Sequence, residues 1–386
     1  MLVLGVCVGS MAARTTPAVA LVASRLIRAA ARETRRKVSD CHLPLRKLAP
    51  PTFTSQRRRR HTKVVATSAA LPENSHLKAH PLFQLKTGAF SIHDFELVVD
   101  TIDLQNGVAP VKIVRPKSED AVLDMYVELG RLDHDPYWAA LWPSSIALAR
   151  EVASASKQDV VKNKHVCDLG AGLGLAGMAA AMAGAQSVTF YDREPLALQC
   201  CLLSAEANGL NVLRVDGDTE KPGFVVTRGK TDTEGAGSIP EGGEDDDGAK
   251  EKDEEDDAKD DVAKQSKRTD VSALVFDWNA VPVGQPKFDL VLACDVLYEK
   301  HAVLPVALLV PQLTTEKKGT WLLADPPNRA PKNREEFIAL VTRNDDRKMK
   351  LVNEPKPVVI THRGSTDTVL LLEFQTEDDR YLYECS

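Results

Sequence analysis

Residues 165–192 read HVCDLGAGLGLAGMAAAMAGAQSVTFYD. A short apolar run, Val166 to Leu169, ends in a glycine-rich turn. A run of small residues with helical character, Leu173 to Ala183, follows, and a second apolar run, Ser187 to Tyr191, ends at Asp192. Strand, glycine turn, helix, strand and acid in that order form the opening unit of a nucleotide-binding α/β sheet. The glycines let backbone approach a ligand closely, and the helix start offers free N–H groups. A carboxylate closing the second strand can accept hydrogen bonds from two ribose hydroxyls.

Two cofactor classes compete for this unit. Gly172, Gly174 and Gly177 satisfy G-x-G-x-x-G, with Asp192 20 residues beyond Gly172, which by itself permits NAD. The run Asp168-Leu-Gly170-Ala-Gly172-Leu-Gly174 also fits the acid-x-Gly-x-Gly-x-Gly pattern of S-adenosylmethionine (AdoMet) methyltransferases. AdoMet carries an ammonium and no pyrophosphate. An acid just ahead of the glycines suits the ammonium and repels a phosphate, which favours AdoMet.

Charge is distributed unevenly along the chain. Its 386 residues carry a net charge of −6, and 43% are hydrophobic, enough to bury a full core. Residues 1–63 hold 14 Lys and Arg against two acids, Glu33 and Asp40, and are rich in Ala, Ser and Thr. That composition predicts an organelle transit peptide, chloroplast or mitochondrial, with a slight tilt to the plastid from its length and its Ser and Thr content. The remainder stands at −18 (−6 less the leader's +12), a poor surface for nucleic acid. No apolar run is long enough to span a bilayer. Neither nucleic acid nor membrane is therefore expected as a partner. The seven cysteines contain no Cys-x-x-Cys and the nine histidines no ligand spacing, so neither a metal site nor a disulfide framework is expected.

The predicted organisation is a basic leader over 1–63, a linker over 64–84, and an N-terminal hairpin with helices over 85–160. The core follows in two parts, 161–215 and 271–386. Between them, residues 216–270 hold 19 acids and nine Lys or Arg and read as a disordered acidic insertion: a surface loop, or a docking arm for a basic protein. Residues 89–99 read as a strand pairing with Val111–Val114. Ser118 caps a helix to about Leu129, and Pro143 opens another. Beyond the insertion, strands are expected at 271–276, 288–293, 320–324 and 368–374, with helices at 302–313 and 333–341. Such alternation predicts a mainly parallel sheet with helices on both faces. Asp168, Asp192, Asp277, Asp295 and Asp325 then fall at the carboxyl ends of strands, where such sheets bind ligands.

With these residues in place, the chain resembles the seven-strand (class I) AdoMet-dependent methyltransferases, in particular the protein-lysine methyltransferase-like family. The resemblance rests on Trp138-Ala-Ala-Leu-Trp142-Pro143, the glycine turn, Asp192, Asp277-Trp278-Asn279, and Phe288 to Tyr298 with its Asp295-x-x-Tyr298. It covers roughly residues 85–375 apart from the insertion. Pro136 to Pro143 is also similar to the branch acting on the β subunit of the electron transfer flavoprotein. The resemblance implies a Rossmann-like seven-stranded fold with a small N-terminal hairpin and helix extension, and AdoMet as cofactor. Gly170, Gly172 and Gly174 would lie under the cofactor's amino acid, with Asp168 on its ammonium directly or through water. Asp192 would take the ribose, Asp277 the adenine amino group and Trp278 the adenine ring. Trp142 would wall the pocket and the Cys294 backbone would line it, while Asp295 and Tyr298 would face the acceptor. The implied substrate is a protein lysine. A small-molecule N-methyltransferase and a non-catalytic AdoMet-binding protein are the alternatives.

Overall fold

Strand β3 (His165–Leu169) is buried at every position but its first, the burial expected of a strand covered on both faces of a parallel sheet. The computed structural model describes residues 76–105, 107–131, 134–213, 268–281, 284–343 and 349–376. The basic leader and almost all of the acidic insertion lie outside the described residues.

Ahead of β3, strands β1 (Leu97–Ile102) and β2 (Val111–Pro116) pair antiparallel. Helices α1 (Glu119–Glu128) and α2 (Pro143–Val152) follow, with the Ser118 hydroxyl accepting from the Ala121 N–H at the start of α1 and Pro143 in the first turn of α2. After β3 come α3 (Leu175–Met182), β4 (Ser187–Asp192), α4 (Pro195–Ala207) and a short β5 (Asn211–Val212). Beyond the insertion lie β6 (Asp270–Val275), β7 (Leu290–Cys294), α5 (Lys300–Leu313), β8 (Thr320–Asp325) and α6 (Pro331–Arg343). The chain ends in β9 (Met349–Leu351), β10 (Lys356–His362) and β11 (Ser365–Thr376).

The large sheet has the order β10-β11-β8-β7-β3-β4-β6-β5, with β9 on β11. Strands β8, β7, β3, β4, β6 and β5 run parallel, and β11 runs antiparallel to β8, β9 and β10. This is the mainly parallel α/β sheet that the sequence predicts. Alternate side chains feed two cores. Val166, Leu290, Leu292 and Leu322 join α2, α3 and α4 on one face. Cys167, Leu169, Val291 and Trp321 join α5 and α6 on the other. Strand order reverses across the centre: β3 leads to β4 on one side and pairs with β7 on the other, which opens a crevice at the carboxyl ends of these parallel strands.

Three readings of the sequence are corrected. The stretch 89–99 is not one strand. Its first half forms a 3-10 turn, Ile92–Asp94, because the Ser91 hydroxyl and the Asp94 carboxylate take up the backbone N–H groups of His93 and Ser91. The expected linker contains residues packed on the core: Leu77 and Leu82 are buried and the Gln199 side-chain amide donates to the Leu82 and Leu85 carbonyls. The C-terminal strand has an unforeseen neighbour, β10. Arg363 and Gly364, with φ of 49° and 85°, form the two-residue turn that joins β10 to β11.

The hairpin is part of the main body. Ile113 and Val114 belong to the same core as α4, and the Ser204 hydroxyl of that helix accepts from the Val114 N–H at 2.8 Å.

Candidate functional site

The turn between β3 and α3 is built on left-handed backbone. Gly170, Gly172 and Gly174 have φ of 65°, 52° and 72°, which side-chain-bearing residues adopt only at a cost. At Gly174 there is also no room: a Cβ would come within 2.7 Å of Cys201 Sγ and 2.8 Å of the Phe190 ring. The turn is tied down from below. The Gly172 N–H donates to Asp192 Oδ2 at 2.8 Å, the Glu194 N–H to Asp192 Oδ1 at 2.9 Å, and the Cys201 thiol to the Gly172 carbonyl at 3.3 Å.

Ten of the eleven site residues named from the sequence line one cleft above this turn: Trp142, Gly170, Gly172, Gly174, Asp192, Asp277, Trp278, Cys294, Asp295 and Tyr298. Asp168 is the exception. It lies beneath the turn, 1% exposed, with Oδ2 accepting from the Gly177 N–H at 2.8 Å and Oδ1 buried without a partner among the described residues. Asp168 thus ties the turn to α3 from beneath the cleft. Asp325, the fifth strand-end acid, also leaves the cleft: it is buried in an ion pair with Arg334 at 2.5 Å.

Six carboxylates, Asp135, Asp192, Glu194, Asp277, Asp295 and Glu299, line the cleft against two guanidiniums, Arg193 and Arg329. Such a field suits a cationic ligand and opposes a pyrophosphate. Burial pushes Asp192 up to about 6, against the lowering effect of the Glu194 and Gly172 N–H groups. Each of its oxygens keeps one lone pair for a ligand hydroxyl. Asp277 Oδ1 accepts from the Asn279 N–H at 2.9 Å, and Trp278 packs beside Gly170. Burial holds the Cys294 thiol well above its ordinary pKa, so it is neutral packing.

The other end of the cleft has a different chemistry. Asp295 adopts φ of 57°, strained for a residue with a side chain, directly after β7. Its Oδ1 accepts from Arg329 Nη1 at 2.9 Å, while Oδ2 is buried without a partner among the described residues. Burial raises its pKa, opposed by the Arg329 guanidinium and the Ser144 hydroxyl. The Arg329 guanidinium carbon lies 4.7 Å from the Trp142 ring centroid, 5.4 Å from that of Tyr298 and 5.9 Å from that of Tyr137.

Sequence reasoning missed Arg329, Tyr137 and a buried chain of bonds. Trp138 Nε1 donates to the Tyr126 hydroxyl at 2.9 Å, and that hydroxyl donates to Glu194 Oε2 at 2.7 Å. Glu194 Oε1 also accepts from the Thr87 hydroxyl. The chain holds the Trp138–Trp142 segment against the glycine turn. Tyr137 lies within the Pro136–Pro143 segment and could have been flagged there. Arg329 carries no spacing signal.

No family model matches the chain. The electron transfer flavoprotein beta subunit lysine methyltransferases of Rattus norvegicus and Homo sapiens are each 43% identical to it over 77 residues, 20% of this chain and 29% of theirs. The match thus spans under a third of the relatives' length. A 16S rRNA methyltransferase of T. thermophilus, solved with AdoMet and guanosine, aligns over 73% of this chain and 51% of its own at 12% identity and a TM-score of 0.40, a likeness that carries no argument about this chain. Over those 77 residues the chain is similar to these lysine methyltransferases, and its strand order and glycine turn are those expected from the sequence.

The buried Asp168 gives a test of the turn's electrostatics. Burial pushes it from 3.8 up to about 7. The folded state therefore keeps a proton that the unfolded state loses, and stability from this group is full below about pH 4 and lost as pH rises through about 7. Asp168→Asn removes that loss. The urea midpoint of the variant minus that of the wild type should grow between pH 4 and pH 7.5, by the equivalent of a few kcal/mol at about 1.4 per pKa unit. A difference that stays flat with pH would show Asp168 ionised throughout.

Proposed function

We propose that the protein is an AdoMet-dependent methyltransferase whose acceptor is a lysine side chain of another protein. The observation that carries the reading is the convergence of the glycine turn, Asp192, Asp277-Trp278 and Asp295 on one acidic cleft. The fit to AdoMet rests on three features: the narrow glycine cradle, the free lone pairs of Asp192, and a carboxylate-rich lining matched to a ligand bearing an ammonium and a sulfonium.

The residues would divide the work by position. The turn's backbone and Asp192 would hold the amino acid and ribose portions, and Asp277 and Trp278 the adenine. AdoMet, when bound, supplies a methyl group already activated on sulfur, so the chain's own task is to place a nucleophilic amine in line with it. Asp295 would orient the amine and accept its hydrogen bonds, and the Tyr298 hydroxyl and ring would stand alongside. Burial raises the pKa of Tyr298, so its hydroxyl keeps its proton and can donate. The name of the flavoprotein-modifying relatives and the Asp295-x-x-Tyr298 spacing support lysine as acceptor. The acceptor end also faces outward, with Tyr137 40% exposed, so a side chain borne on a protein surface can reach it.

Asp295→Ala removes the orienting carboxylate and leaves the turn intact. Labelled methyl transfer from AdoMet into cell extract should fall by roughly two to four orders of magnitude. AdoMet affinity in a parallel titration should change far less. Near-normal transfer by the variant would reduce Asp295 to a structural residue and remove the main support for a lysine acceptor.

We further propose that residues 1–63 address the protein to an organelle, chloroplast or mitochondrion, on the strength of their basic, Ser- and Ala-rich composition. Fused to a fluorescent protein, they should carry it into one of the two. A fusion that stays in the cytosol would refute this.

A further inference from the structure

Arg329 sits in surroundings out of proportion to an ordinary surface ion pair. It lies on the turn after β8, its side chain 31% exposed, yet three aromatic rings and a nearly buried carboxylate, Asp295 with 9% side-chain exposure, surround its guanidinium. All three ring centroids lie within the roughly 6 Å over which a cation is attracted to a π-face. The rings hold one another without Arg329. Trp142 Nε1 donates to the Tyr137 carbonyl at 2.9 Å. The Tyr137 ring stands edge-on to Trp142 at 5.6 Å and to Tyr298 at 6.1 Å. The cage is therefore preformed, and a cation entering it need not order the walls. Its floor keeps acceptor capacity: apart from the influence of the Ser144 hydroxyl on the carboxylate, Asp295 Oδ2 has no hydrogen-bond partner among the described residues.

We propose that these rings and Asp295 form the binding site for the acceptor's ammonium, and that Arg329 occupies it as an internal stand-in that the acceptor displaces. The inference rests on the lysine-methyltransferase reading and deepens it. It assigns Tyr137 and Trp142 to the acceptor, and it sets the acceptor class as a cationic amine on a flexible stem.

An ammonium has three donors. It can replace the Arg329 bond to Oδ1 and satisfy Oδ2 as well. Exchanging one cation for another spares Asp295 the cost of being buried alone. Arg329 lies on an exposed turn, so an outward swing of its side chain would lead into solvent. While it fills the cage, it lowers the apparent affinity of any competitor by the fraction of time it is there.

The test uses butylammonium, which reproduces the end of a lysine side chain, titrated against the full chain with tryptophan fluorescence as the readout and butanol as the uncharged control. Arg329→Ala and Arg329→Gln should each bind butylammonium at least about tenfold more tightly than the wild type, with butanol unaffected. Adding Trp142→Ala to Arg329→Ala should abolish the gain. Melting temperature identifies which variants are folded, and Arg329→Gln, which keeps most of the side chain's stem, guards against loss of packing. Equal or weaker binding in a folded variant would overturn the proposal and make Arg329 a fixed structural partner of Asp295. If the amine binds as expected while no labelled methyl reaches any acceptor, the cage stands and the methyltransferase reading fails.

Discussion

Two backbone N–H groups, from Gly172 in the turn and Glu194 at the start of α4, converge on the carboxylate of Asp192, and the rest of the cleft depends on that convergence. The bonds join the end of β4 to the glycine turn and to the next helix. Glu194, fixed in place, then accepts from Tyr126, and Tyr126 accepts from Trp138. One carboxylate thus sets the spacing of three chain segments: the turn, the α4 start and the aromatic segment before α2. Such bonds to a charged group are worth roughly twice neutral ones and direct the N–H groups toward a single point.

The same arrangement carries an energetic cost. Asp168, Asp192, Asp295 and Asp325 all have pKa values raised by burial. Asp325 is compensated by the buried Arg334, and Asp295 by the more exposed Arg329. Among the described residues, Asp168 accepts from the Gly177 N–H and Asp192 from those of Gly172 and Glu194, with the Arg193 guanidinium also lowering the Asp192 pKa. A scaffold with apolar cores on both faces of the sheet tolerates this concentration of unfavourable charge. A cationic ligand bound among these carboxylates would relieve it. The left-handed backbone of Asp295 fits the same pattern, strain being held where the chemistry is placed.

The parts of this design legible in the sequence are those set by local backbone rules. A glycine turn between two apolar runs specifies β3, α3 and β4, and Ser118 and Pro143 mark helix starts by their own hydrogen bonding and fixed φ. Strand ends carrying Asp192, Asp277 and Asp295 follow from the alternation of elements. The parts that were not legible depend on packing between distant residues. The role of Asp168 is decided by the neighbouring Gly177 N–H and by the depth of β3, neither of which spacing reveals. The 91–94 turn arises from side-chain bonds that mimic a helix start within a strand-like pattern. Arg329 reaches Asp295 across 34 positions in sequence through the fold alone. The β10–β11 hairpin turns on Arg363 in a left-handed conformation, which its residue type does not advertise.

The acidic cleft suits a cationic, pyrophosphate-free cofactor. The most direct measurement is calorimetric titration of the full chain with AdoMet and, separately, with NAD. AdoMet and its demethylated product should bind saturably, with no detectable heat from NAD at the same concentrations. Tight binding of NAD with none of AdoMet would contradict this.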